Sequence, residues 1–126
     1  MIAGAAQIVA DPAAVVNLIA TGSEVQLALA VSQQLPQPSR VISMPDLQRF
    51  LSLDQSKKDA IIPKDQAKNV IIEAGTTLGW QSVAGDDGLI FGLDHFGMSA
   101  APQIVLEDVG LVVDVLTEKI TQYLGS

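Results

Sequence analysis

Apolar and polar positions along this chain alternate between short β-branched runs and stretches of helical spacing. Val15-Val16-Asn17-Leu18-Ile19 is a compact apolar run without helical periodicity, which suits a strand buried on both faces of a parallel sheet. It ends at Ala20. Thr21-Gly22-Ser23 then reads as a tight turn carrying two overlapping capping boxes, Thr21 with Glu24 and Ser23 with Gln26. A helix beginning near Glu24 places Val25, Ala28, Leu29 and Leu35 on one stripe, widened by Leu27, Ala30 and Val31, so it lies back against the sheet it has left. This is one strand-turn-helix unit of an α/β fold.

The same pattern recurs downstream. Gly4 to Ala10 is a weaker strand, suited to an edge and closed by Asp11-Pro12 turn chemistry. Leu35-Pro36-Gln37-Pro38 makes a stiff connection to a strand over Arg40 to Met44. Asp46 to Leu51 predicts a helical turn, and Ser52-x-x-Gln55 a capping box for a helix running to about Ile61. Strands follow at Asn69 to Glu73 and Leu89 to Leu93, separated by a loop that opens a short helix near Trp80 and by the turn cluster Gly85-Asp86-Asp87-Gly88. Pro102 and Gly110 bracket a helix over Gln103 to Val109. A last helix from about Val112 carries Val115, Leu116, Ile120, Tyr123 and Leu124 on one stripe. Strands alternating with helices at this spacing predict a single domain, residues 1–126, with a parallel sheet and helices on both faces.

Composition narrows the function classes. A chain of 126 residues buries roughly two-thirds of its unfolded surface, enough for a core without staples. The absence of cysteine removes disulfides, thiolate metal sites and thiol nucleophiles together. Fourteen acidic residues against seven basic ones give a net charge of −7, with lysine and arginine scattered, which excludes a nucleic-acid footprint. The start lacks a basic leader region and no apolar run approaches the roughly 20 residues of a membrane helix, so the chain reads as soluble and cytoplasmic.

Candidate chemistry is sparse. Backbone N–H groups at the Gly22-Ser23 turn suit an anion, although the capping side chains compete for the same donors and no phosphate-loop glycine pattern accompanies them. His95, the single histidine, stands beside Asp94 and Phe96 past a strand end, yet no nucleophile or second histidine completes a constellation around it, and it reads as a hydrogen-bonded structural residue. Glu73 is placed like a carboxylate base, and Asp86 and Asp87 like ligands of a hard cation, but their spacing shows no convergence. Arg40 and Arg49 alone do not define a phosphate site. Trp80, with Leu78 and Val83 near it, reads equally as core or as the anchor of a partner surface.

Four stretches go further. Ile19-Ala20-Thr21-Gly22-Ser23-Glu24-Val25, Ser43-Met44-Pro45, Glu73-Ala74-Gly75-Thr76-Thr77-Leu78-Gly79-Trp80 and Phe96-Gly97-Met98-Ser99-Ala100 closely resemble the C-terminal domain of transketolase, in that family's order and at about its spacing. The resemblance spans nearly the whole chain. It implies a three-layer α/β/α fold with a five-stranded, mostly parallel sheet whose first strand is an antiparallel edge. It also implies a parent enzyme that moves two-carbon ketol units between sugar phosphates of the pentose phosphate pathway, using thiamine diphosphate and Mg2+. The family places cofactor and substrate in two preceding domains at a homodimer interface and gives this domain no catalytic, cofactor-binding or metal residue. On that view the chain is a domain or a split subunit whose partners are the remaining transketolase domains, inactive alone, with Leu78, Trp80 and Phe96 as interface anchors. Two other functions compete: a module holding a small anion or nucleotide at Gly22 and Ser23, and the equivalent domain of a 2-oxo acid dehydrogenase β subunit or deoxyxylulose phosphate synthase. Leu78-Gly79-Trp80 and Phe96-Gly97 favour transketolase over the last.

The chain departs from the family pattern twice. Ala101 displaces the usual proline by one place to Pro102, shifting the expected helix start by a residue. Val112 stands where the family has a capping threonine, and a valine accepts no N–H bond, so the first turn of the last helix is expected to fray at about 1 kcal/mol.

Overall fold

The structure, a computed structural model, describes residues 5–21, 24–63, 67–73, 83, 88–92, 103–105 and 113–124. Its elements are β1 (Ala6–Val9), β2 (Val16–Ala20), α1 (Glu24–Gln34), β3 (Ser39–Ser43), α2 (Leu47–Leu51), α3 (Gln55–Ile61), β4 (Lys68–Glu73), β5 (Leu89–Gly92), β6 (Gln103–Val105) and α4 (Val113–Leu124). The strands form one sheet in the order β1-β3-β2-β4-β5-β6, with β1 antiparallel to β3 and every other pair parallel.

The α/β class with a mostly parallel sheet and an antiparallel first-strand edge agrees with the sequence reading. Its five strands are all present, and a sixth joins them. Gln103 to Val105, expected as the start of a helix, instead pairs in parallel with β5, Phe91 opposite Ile104. A three-residue run is too short for periodicity to separate strand from helix, and the open edge of β5 supplies hydrogen-bond partners for its backbone.

The sheet is covered on both sides because its strands alternate between two apolar sets. Val16, Leu18, Val41, Val70, Ile72 and Leu89 meet α1 through Ala28 and Val31 and α4 through Leu116 and Ile120. Ile19, Ile42, Ile71 and Ile90 face the other way, toward Phe50 of α2, with Leu47, Leu51 and Ile61 packed around them. Such two-sided burial is why the centres of these strands, Leu18-Ile19, Val41-Ile42, Val70-Ile71-Ile72 and Leu89-Ile90, are apolar at successive positions.

Local chemistry sets the element ends. The Asp11 carboxylate accepts the Ala13 N–H at 2.9 Å and its carbonyl the Ala14 N–H at 3.0 Å, closing the turn after β1. Asp46 caps α2, its carboxylate accepting the Arg49 N–H at 3.0 Å. The expected Ser52 capping box is not made: the Ser52 hydroxyl donates back to the Arg49 carbonyl at 2.7 Å, finishing α2, and Asp54 takes the cap position of α3 without a side-chain bond. Gln7 on β1 donates to the Ile61 and Ala60 carbonyls at 3.0 and 3.4 Å, tying the C-terminus of α3 to the sheet edge. The β1–β3 ladder shifts register between Gln7 and Val9, leaving Ile8 as an extra residue, 49 % exposed.

Candidate functional site

Strand order reverses between β2 and β4: the chain moves from β2 to β3 on one side and returns through β4 on the other. Ala20 and Ile72 are paired there, so the two strands end side by side, at the kind of switch point where α/β proteins hold ligands. α1 begins at Glu24 as expected, its first N–H held by the Thr21 carbonyl at 3.0 Å. Gly22 and Ser23 themselves lie outside the described residues, as do Leu78, Trp80, Asp86, Asp87, Asp94, His95 and Phe96. Glu73 closes β4 at the predicted place. Arg40 and Arg49 are separated in role: Arg49 is exposed on α2, whereas Arg40 is buried in β3.

Arg40 belongs to an arrangement that the sequence did not announce. Register places Arg40, Asn17 and Asn69 side by side on β3, β2 and β4. The Arg40 guanidinium donates to Asn17 Oδ1 at 3.0 Å, Asn17 Nδ2 donates to Asn69 Oδ1 at 2.9 Å, and Asn69 Nδ2 donates to the Val83 carbonyl at 2.9 Å. This polar rung crosses three strands beneath α2 and α3, with Asn17 fully buried and Arg40 5 % exposed. Its signal was a polar residue at the second position of each of three strands whose centres are apolar.

At the end of the rung, Asn69 meets a cavity of about 450 Å³ between α3 and the sheet. Phe50, Leu51, Ile62 and Val83 supply apolar wall, and Gln55, Lys58 and Asp59 line it from α3.

Among the described residues, no group of three His, Cys, Asp or Glu side chains comes together. No helix among these residues is long and apolar enough to cross a membrane.

Comparison with known proteins gives a consistent answer. Residues 4–112 match the family model described as the transketolase-like C-terminal domain. Transketolase of Physarum polycephalum is 38% identical over 101 residues, covering 80% of this chain and 15% of that protein. Transketolase of Geobacillus stearothermophilus is 36% identical over 111 residues, covering 86% of this chain and 17% of that protein. In structure, Pichia stipitis transketolase superimposes with a TM-score of 0.79 at 25% identity, covering 97% of this chain and 18% of that one. The chain thus spans about one-sixth of the relatives it matches. With the doubly covered sheet and the family match running through it from residue 4 to residue 112, the chain belongs to the transketolase C-terminal domain family.

Proposed function

We propose that this chain serves as the non-catalytic C-terminal domain of a transketolase, within one polypeptide or as the separate subunit of a split enzyme. The observation that carries this reading is the family match over residues 4–112 on a shared fold. The parent transfers two-carbon ketol units between sugar phosphates, and its thiamine diphosphate and Mg2+ sit in the other domains. The domain supports folding and homodimer assembly there, in the cytoplasm. Co-expression with the preceding domains of a transketolase truncated before this one should restore a stable enzyme that neither part forms alone. Failure of the two parts to associate would remove the assembly role.

Thiamine diphosphate in the presence of Mg2+ should give no heat of binding on titration into the isolated chain. Micromolar affinity there would reassign the cofactor site to this domain.

Leu78, Trp80 and Phe96 are the anchors we assign to the interface, because buried aromatic residues dominate association energetics. Trp80→Ala in the complete enzyme should weaken the dimer by about 2 kcal/mol, roughly 30-fold in Kd. Activity should then fall on dilution and recover at high protein concentration. A loss independent of concentration, measured alongside sedimentation, places Trp80 in the core of the domain instead.

A further inference from the structure

A helix laid on a sheet normally fills positions i, i+3, i+4 and i+7 of its inner stripe with apolar side chains. In α3 the residues that face the cavity, Gln55, Lys58 and Asp59, are polar, and Ile62 of the extended C-cap joins them. All four line the 450 Å³ cavity, and no residue of α3 is buried. The helix meets the core through Ile61 and Ile62 at its C-terminal end and turns Lys58 and Asp59 toward a cavity wall that includes Phe50, 4 % exposed, and Val83, 6 % exposed.

Among the described residues, the polar groups on this cavity have spare capacity. Among the described residues, no side chain pairs with the Lys58 ammonium. Among the described residues Asp59 accepts a bond from Gln55 Nε2 at 2.8 Å, and a carboxylate has room for more. Asn69 is held from two sides, by Asn17 and by the Val83 carbonyl, so its amide is fixed in orientation, and its Oδ1 retains a second lone pair.

We propose that this cavity binds a small zwitterion with an apolar body, the chemistry of a hydrophobic α-amino acid. The ligand carboxylate pairs with Lys58, its ammonium with Asp59 and Asn69 Oδ1, and its side chain lies against Phe50, Ile62 and Val83. A wholly apolar ligand would desolvate both charges without replacing their water. A simple anion would satisfy Lys58 but face Asp59, and a simple cation would meet the reverse. The volume falls within the roughly 300–1,000 Å³ of small-molecule sites. Asn69 is the second residue of β4, so the site lies toward the N-terminal end of the parallel strands, away from the switch point, and does not depend on the assembly role.

The test is an NMR titration of the 126-residue chain with L-leucine and with L-phenylalanine, each to about 10 mM, which reaches millimolar Kd values. Saturable shifts confined to α2, α3 and the Asn69 side-chain amide are expected. Lys58→Met should weaken binding about tenfold or more, and 4-methylpentanoate, which lacks the ammonium, should bind about tenfold more weakly than leucine. Lys58 and Asp59 are only partly buried, so both variants keep the fold, which melting curves verify. Asp59→Asn should abolish the preference for leucine over 4-methylpentanoate. Absence of saturable shifts overturns the proposal, as does equal binding by Lys58→Met or equal affinity for the acid and the amino acid in the parent chain.

Discussion

An Asn17→Leu chain is expected to melt about 10 °C below the parent, a loss of about 3 kcal/mol. Asn17 is the middle of the rung, accepting from Arg40 and donating to Asn69, and it has no exposure to water. Leucine has the same branched arrangement of side-chain atoms and cannot do either. Two bonds vanish, one of them charge-assisted, and Asn69 Oδ1 loses its donor in a half-buried setting. Arg40 is engaged in interaction beyond Asn17, so the loss stays below that of stripping a buried cation bare. Replacing all three rung residues by apolar ones of similar size should recover at least half of the loss, since the cost lies in leaving partners unmatched. A single variant that melts like the parent would show that the rung contributes nothing to stability.

Leu116→Ala should cost about 3 kcal/mol, in the range for emptying a fully buried leucine site. Leu116 and Ile120 carry α4 into the same cluster as Val16 and Leu18 of β2 and Ala28 and Val31 of α1. The cavity left by the missing side chain opens between helix and sheet, where neither backbone can collapse onto it without breaking the other contacts. The transition should stay cooperative, with hydrogen exchange quickening in α4 and in the central strands together. Faster exchange in α4 alone, with an unchanged melting temperature, would mark α4 as a separately opening unit.

Much of this architecture was legible in the sequence because its strands are buried on both faces. β2, β3, β4 and β5 announce themselves by short apolar stretches rich in β-branched residues, Leu18-Ile19, Val41-Ile42, Val70-Ile71-Ile72 and Leu89-Ile90, and α1 and α4 by a stripe that meets them. β6 was misread because Pro102 and Gly110 sit at helix-like spacing, while the decisive fact, the free edge of β5, lies elsewhere in the chain. Ser52 was misread because a cap signal does not say which of two adjacent helices it serves. The rung was not legible for a related reason. Arg40, Asn17 and Asn69 are up to 52 residues apart, and only the register of three strands makes them neighbours. The candidate anion turn and the aromatic anchors rest on the sequence, since both fall outside the described residues.

The extra residue in β1 also governs how the sheet can grow. A strand at the margin of a sheet offers a row of unused amides and carbonyls to any passing chain, and β1 has no charged residue to discourage one. Ile8 breaks that row: with two residues of β1 set against one of β3, the outer margin is kinked, and its donors and acceptors no longer keep the even spacing an added strand needs. The Gln7 amide, held by the end of α3, further anchors the kink. Edge-to-edge stacking of one copy on another is thereby discouraged by geometry alone, so a protein with an uncharged apolar margin can stay at working concentration without recruiting its own kind into fibrils.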